Sequence, residues 1–154
     1  MEQNWIQLLQ KENQLARVME TNRKTQQYGL TLSREDAELL LQERGRALQE
    51  QRRVEFGEGI TEKIIEEFCD SAYIGQESYV DTVIRLQEIF YLYKNEMMDE
   101  ISDEELLHFM KEQYEGVCFG DLDYLEGTCL SHFAQAIRAG YQGHKASRGY
   151  GEYG

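Results

Sequence analysis

Proline is missing from all 154 positions of the sequence, and this absence constrains the fold more than any other feature. Average usage near ~5% would place roughly seven or eight prolines in a chain of this length. Without the residue that breaks helices most strongly, the 13 glycines are left to punctuate the chain. The sequence is therefore expected to form long helices that end at glycine.

Apolar residues recur at intervals of three and four, the period of an amphipathic helix. Together with capping residues, this period predicts six helices, at about 4–27, 33–53, 60–72, 77–96, 102–117 and 121–140. The second and fifth begin most clearly. Ser33 and Ser102 are expected N-caps, and Asp36 and Glu105 each complete a capping box. The second half of the fourth helix is apolar on all sides, which predicts the most buried part of the fold.

The length suits one domain, and we predict an all-α, compact bundle of about six helices over residues 1–140. The remainder, 141–154, is rich in glycine and tyrosine and is predicted to be a flexible tail. No segment reaches the ~20 consecutive apolar residues of a membrane span, and the first residues lack the pattern of a secretory signal. Three cysteines do not suggest a disulfide framework, so a reducing cytoplasm is the expected compartment.

The formal net charge of −13 is concentrated in one part of the chain. Residues 1–54 hold 8 acidic and 9 basic residues, whereas residues 55–126 hold 20 acidic and 4 basic ones. Such a field repels nucleic acid and anionic lipid and attracts basic proteins. Ordinary solvation of an acidic surface is the plain alternative. We expect no nucleic acid or membrane partner, and a protein partner that is either basic or a second copy of the chain.

Two further features suggest contact surfaces. Within residues 42–53 only Ala47 and Leu48 are apolar, so this part of the second helix is expected to project into solvent or lie along a partner. Aromatic residues with a polar tip are favoured at protein interfaces, and four of them could rim such a surface: Tyr91, Tyr93, Tyr114 and Tyr124. Their alternative place is the ordinary edge of the core.

The cysteines are the main candidates for chemistry. Cys118 lies between glycines at a turn, where an accessible thiol could act as a nucleophile if His108 or His132 approached it. Cys69, Cys118, Cys129 and His132 could supply four zinc ligands, but they lack the paired close spacings of structural zinc sites. Cys129 falls in the apolar stripe of the sixth helix and Cys69 adjoins that of the third. Buried, inert thiols are therefore the favoured interpretation.

Two acidic motifs have simpler explanations than metal binding. Glu105 and His108 have the Glu-x-x-His spacing of di-metal helical bundles, but such bundles use two of these pairs, and Glu105 already serves the capping box. Asp121 and Asp123 lack the downstream glutamate of an EF-hand loop, and an N-cap role accounts for them. No residue is assigned as catalytic, metal-binding or cofactor-binding.

The stretches YLYKNEMMDEISDEELLHFM (91–110) and GDLDYLEGTCLSHFAQAIR (120–138) resemble an uncharacterised family of short, acidic helical proteins from clostridial bacteria. The resemblance covers roughly residues 5–140. It implies a bacterial cytoplasmic protein of unknown function, and it transfers no site residue.

Three functions remain open on these observations. A protein-interaction or regulatory module is favoured, because the acidic region adjoins aromatic residues. A small enzyme or metal-binding protein would use Cys118, Cys129, His108 or His132. An acidic mimic of nucleic acid would need the acids of 55–126 to form one ordered stripe.

Overall fold

Helices account for most of the chain in the computed structural model, which describes residues 2–55 and 59–140, with the side chains of 5–55 and 59–140. The α-helical segments are α1 Glu2–Glu20, α2 Asn22–Thr25, α3 Arg34–Glu50, α4 Ile60–Phe68, α5 Tyr79–Glu96, α6 Asp103–Glu115, α7 Leu122–Tyr124 and α8 Leu130–Arg138. Short 3-10 turns span Gln26–Tyr28 and Gln76–Ser78, and a π-helical turn, Leu125–Cys129, joins α7 to α8.

Because α2 closely follows α1, and α7 continues through the π turn into α8, the described residues form six helical stretches and no strand. The all-α prediction with about six helices is confirmed. The tail predicted over 141–154 lies outside the described residues. The chain divides into two compact units, Met1–Gln87 and Glu88–Gly154, and the single domain expected over 1–140 stays a prediction.

Both predicted capping boxes are present. The Ser33 side chain accepts from the Asp36 amide at 3.1 Å, and the Asp36 carboxylate accepts from the Ser33 amide at 3.1 Å. Ser102 and Glu105 exchange the same two hydrogen bonds at the start of α6. Gly29 ends the first helical stretch in the left-handed conformation, with φ +80°. Local sequence therefore determines where these helices begin and end.

In the first unit, α1, α3 and α4 pack on one another through fully buried aliphatic side chains, among them Val18, Leu40 and Ile64. The buried amide of Gln87, on α5, adds a polar link within this core. Its oxygen accepts from the Thr61 hydroxyl on α4, and its nitrogen donates to the Leu40 carbonyl on α3 at 3.3 Å. A buried polar group is tolerated when it is bonded in this way.

Arg44 is an exception to the expectation that residues 42–53 project into solvent or lie along a partner. Its guanidinium is nearly buried and contacts the Glu55 carboxylate at 2.7 Å. A Cβ atom added at Gly59 would lie 2.9 Å from the Arg44 guanidinium carbon, so the glycine leaves room for this ion pair. Ala47 is also buried. The other residues of 42–53 are exposed or half-buried, so only the side of the helix that carries Arg44 and Ala47 faces the core.

The second unit is built on the last turns of α5, on α6 and on α8. Ile89, Phe90 and Tyr91 are each about 1% exposed, which confirms that this half of α5 is buried. Lys94, at its end, donates to the Ile101 carbonyl at 2.7 Å and contacts the Asp103 carboxylate at 2.9 Å. These contacts fix the turn that leads into α6.

Candidate functional site

The sulfur atoms of Cys118 and Cys129 lie 3.6 Å apart in the second unit. Cys118 belongs to the turn between α6 and α7, and Cys129 is the last residue of the π-helical turn. Two irregular backbone segments thus bring together two of the three cysteines that the sequence singled out.

The turn at residues 116–121, called here the Phe119 loop, begins where Gly116 ends α6. The Gly120 amide donates to the Tyr114 carbonyl at 2.8 Å, and the Cys118 amide donates to the Gln113 carbonyl at 3.0 Å. Phe119 has φ +48°, a left-handed conformation that is rare for a bulky side chain. The loop is therefore tightly bonded and contains a strained residue.

In the Phe119 loop the two large apolar side chains are exposed and the cysteine between them is buried. Val117 and Phe119 are 53% and 75% exposed, whereas Cys118 between them is only 4% exposed. Burial of Cys118 agrees with the favoured interpretation of the cysteines as buried thiols, whereas Val117, which the predicted fifth helix included, lies on the surface. The physical reason is that α6 stops at Glu115, so Val117 no longer continues the helical stripe of Leu106, Met110 and Tyr114.

The π-helical turn places Cys129. The Leu130 amide donates to the Leu125 carbonyl, a step of five residues, and both leucines are fully buried. An uninterrupted α-helix would have placed Cys129 in the core four residues after Leu125. The extra residue gives that core position to Leu130, and Cys129 is left partly exposed beside Cys118.

Side chains from α5, α6 and α8 hold the π turn and the helix that follows it. The Tyr93 hydroxyl, on α5, donates to the Glu126 carbonyl within the turn. The rings of Phe109 on α6 and Phe133 on α8 have centroids 4.1 Å apart. Arg138, at the end of α8, contacts the Glu96 carboxylate at 3.3 Å. The π turn and α8 are therefore held by contacts with α5 and α6.

Burial raises the pKa of Cys118 to about 12, and hydrogen bonding to the Cys129 thiol acts in the same direction. Burial also raises the pKa of Cys129, partly offset by its hydrogen bond with Cys118. Both sulfurs are therefore thiols at neutral pH, in which one S–H points to the other sulfur. A pair of contacting thiols can be oxidised to a disulfide or bind a thiophilic ion.

The other candidate ligands and bases lie elsewhere. The buried Cys69 thiol donates to the Glu66 carbonyl at 3.7 Å. His108 is exposed and contacts Glu112 at 3.4 Å, and His132 is exposed as well. In the ranges that the structure describes, no group of three or more histidine, cysteine or acidic side chains is arranged to hold a metal ion. As expected, Asp121 is an N-cap, accepting from the Asp123 and Tyr124 amides.

Acidic side chains surround the Phe119 loop in sequence. Residues 112–126 hold five acids and no base, and four of these acids are exposed: Glu112, Glu115, Asp121 and Asp123. Tyr124 is also exposed. Tyr91, Tyr93 and Tyr114 are buried, so the core alternative holds for these three, and only Tyr124 of the four is exposed.

Residues 17–143 match a family described as a family of unknown function, DUF6323. The chain belongs to the DUF6323 family. This confirms the resemblance to an uncharacterised family, while clostridial origin stays a prediction. No curated protein and no solved structure matches the chain. The Phe119 loop, which contains Cys118, and the nearby Cys129 both lie within the matched residues 17–143.

A second exposed apolar group lies before the start of the DUF6323 match, on α1. Trp5, Ile6, Leu8 and Leu9 are each between 46% and 64% exposed. The stripe of this helix becomes buried only at Leu15 and Val18, where α1 packs on α3 and α4. No helix of the described residues is long and apolar enough to cross a membrane.

Proposed function

We propose that this DUF6323 member is a protein-interaction module that binds a basic segment of a partner protein at the Phe119 loop. The observation that carries the proposal is the exposure of Val117 and Phe119 on either side of a buried Cys118. The partner segment would contribute lysine or arginine side chains and at least one large apolar side chain.

The exposed position and the left-handed backbone of Phe119 each lower the stability of the fold. An exposed aromatic side chain forgoes burial worth roughly 1.5–3 kcal/mol. Its left-handed backbone, with φ +48°, adds a strain of order 1–3 kcal/mol in a non-glycine residue. Strained, exposed aromatic residues are a recurrent feature of binding sites, because a partner recovers the lost burial.

The charge of the surrounding segment supports a basic partner. Residues 112–126 contain five acids and no base, although Lys111 contacts Glu115 at 3.5 Å and His108 contacts Glu112 at 3.4 Å. Acidic rims accelerate the approach of basic partners and weaken as salt screens them. The proposed binding should therefore become weaker as the salt concentration rises.

An enzyme that uses a cysteine nucleophile has less support. A catalytic cysteine is activated by a neighbouring base, whereas the Cys118 thiol contacts the Cys129 thiol, and His108 contacts Glu112 instead. A nucleic-acid mimic would need unpaired acids. Several acids of residues 55–126 instead form ion pairs within the chain, among them Glu55, Glu62, Glu96 and Asp103.

The test uses two fluorescent peptides of equal apolar content, one rich in lysine and one rich in glutamate, titrated with the protein at low salt. Fluorescence polarisation should show saturable binding of the lysine-rich peptide alone. Phe119→Ser should weaken that binding at least tenfold, since a buried aromatic contact is worth more than about 1.4 kcal/mol. Tyr73→Ser, at an exposed tyrosine of the first unit, is the matched control and should bind as the natural protein does.

Two results would count against this function. One is equal binding of both peptides, which would show that charge does not select the partner. The other is unchanged affinity in Phe119→Ser when its circular dichroism spectrum matches that of the natural protein.

Self-association is a second candidate, favoured by the exposed apolar residues of α1. Residues 2–20 carry three acids and two bases, so two copies of this helix would not repel each other strongly. Sedimentation velocity should then show a dimer that Trp5→Ser and Leu8→Ser convert to a monomer. A natural protein that stays monomeric at all concentrations would exclude this surface as a self-contact.

A further inference from the structure

We propose that Cys118 and Cys129 form a reversible disulfide, and that this bond is a redox-modification site controlling the Phe119 loop. The formation of the bond is independent of the proposed docking function, whereas its effect on docking rests on that function.

The geometry needs little adjustment to make the bond. The two sulfurs are 3.6 Å apart, and a disulfide requires about 2.05 Å. The remaining ~1.6 Å can be covered by side-chain rotation and a small shift of the Phe119 loop. Cys118 lies in a turn and Cys129 at the end of a π-helical turn, so neither residue is held inside a regular α-helix.

Unequal exposure sets the order of the two steps. Cys129 is partly exposed and meets an external disulfide first, whereas Cys118 is 4% exposed and is shielded from it. The Cys129 thiol loses its proton and attacks one sulfur of a low-molecular-weight disulfide of the glutathione type. A mixed disulfide forms, and one low-molecular-weight thiolate leaves and takes up a proton.

In the second step Cys118 loses its proton and its sulfur attacks the Cys129 sulfur. The mixed disulfide breaks, the second low-molecular-weight thiol leaves, and the Cys118–Cys129 bond is formed. The protein has lost two hydrogen atoms and two electrons, and the oxidant has become two thiols. Excess low-molecular-weight thiol reverses both steps. Cys118 is thus the resolving residue.

Closing the bond would restrain the loop that carries Val117 and Phe119. Cys118 lies between these two exposed side chains, so anchoring its sulfur to the π turn limits the motion of both. A loop fixed before binding loses less entropy when it binds. If the Phe119 loop is the docking surface, the oxidised protein should bind the lysine-rich peptide several-fold more tightly than the reduced protein.

The test exposes the full-length protein to buffers of oxidised and reduced glutathione, followed by acid quenching, alkylation of remaining thiols, intact mass and peptide mapping. The natural protein should lose two hydrogens and yield one linked peptide pair, 118 with 129. Cys69→Ser is the matched control and should close the same bond to the same extent. Cys118→Ser should stop at a mixed disulfide on Cys129, and Cys129→Ser should react little.

The proposal is overturned if the natural protein carries mixed disulfides or free thiols and no 118–129 bond at any glutathione ratio. This result does not depend on the folding of a variant. A closed bond without peptide binding in either redox state would refute the docking function and leave the redox site standing. A closed bond with equal binding in both states would refute only the control of docking.

Discussion

Leu130 donates its amide to the carbonyl of Leu125, five residues earlier, and both side chains are fully buried. A regular helix would connect residues four apart, so the segment holds one residue more than an α-helix needs between two core positions. Cys129 owes its place beside Cys118 to the π turn, since in an uninterrupted α-helix of the same sequence Cys129 would take the core position itself.

Deletion of Gly127 should therefore be tolerated. Gly127 lies inside the π turn and is exposed, and removing it brings Leu125 and Leu130 to the α-helical spacing of four with both still in the core. We expect a thermal midpoint within a few degrees of that of the natural protein. Deletion of the exposed His108 in α6 is the control, because it rotates the following residues by about 100° and removes Phe109 and Met110 from the core. Thermal denaturation measures both deletions. Equal loss of stability in the two would show that the π turn does not hold a dispensable residue between Leu125 and Leu130.

Two glycine-to-alanine changes in the first unit should have opposite signs. At Gly59 a Cβ atom would lie 2.9 Å from the Arg44 guanidinium, whose contact with Glu55 is 2.7 Å long. Gly59→Ala should therefore lower the free energy of unfolding by about 1–3 kcal/mol through displacement of a nearly buried ion pair. Gly45 lies within α3 and has open space where a Cβ atom would be added, so Gly45→Ala should raise stability by about 1 kcal/mol. Urea denaturation measures both, and a neutral Gly59→Ala would show that Arg44 moves without cost.

Tyr79 should make the fold sensitive to alkali. Burial raises the pKa of its hydroxyl to about 12 from 10.0, and the nearby Thr25 hydroxyl offsets this in part. Between these two values the folded chain keeps a proton that the unfolded chain loses, so stability falls as the pH rises through this window. Below it, both states are protonated and the group contributes no pH dependence.

Tyr79→Phe should accordingly weaken the loss of stability above pH 10, measured as the change of urea midpoint with pH. At neutral pH the change should be nearly neutral, since the described residues offer the Tyr79 hydroxyl no hydrogen bond of normal geometry. Tyr28→Phe, at an exposed tyrosine, should leave the pH profile unchanged. A Tyr79→Phe profile that overlays that of the natural protein would show that another group governs the alkaline loss.

The buried amide of Gln87 should be essential to the first unit. Gln87→Leu leaves the Thr61 hydroxyl and the Leu40 carbonyl without their amide partner, and each buried, unsatisfied group costs about 1–3 kcal/mol. Gln135→Leu, at an exposed glutamine of α8, should change the free energy of unfolding by less than about 0.5 kcal/mol. Comparable effects of the two changes in urea denaturation would show that the Gln87 network adds no stability.

The features that sequence reasoning predicted are those that neighbouring residues determine. Ser33 with Asp36 and Ser102 with Glu105 form capping boxes because the partners are three residues apart, so the signal is complete in the local sequence. The buried half of α5 was equally predictable, since its apolar residues cover the whole circumference.

The candidate site could not be predicted in the same way. The π turn interrupts a regular apolar stripe, and its cause is tertiary, since Leu130 takes the core position that periodicity assigns to Cys129. The early end of α6 exposes Val117, although its spacing from Tyr114 suits a helix. Arg44 is buried because Glu55 lies beside it in space. Gly116 and Gly120 on either side of Cys118 were the available signal, and they indicated the turn without indicating which side chain it buries.

The central claim is that the Phe119 loop is the docking surface for a basic partner. Backbone amide chemical shifts recorded during titration with the lysine-rich peptide test it most directly. We predict saturable shifts concentrated at residues 116–124, reduced by added salt. Shifts confined to other parts of the chain, or no shifts at peptide concentrations that saturate the polarisation signal, would contradict it.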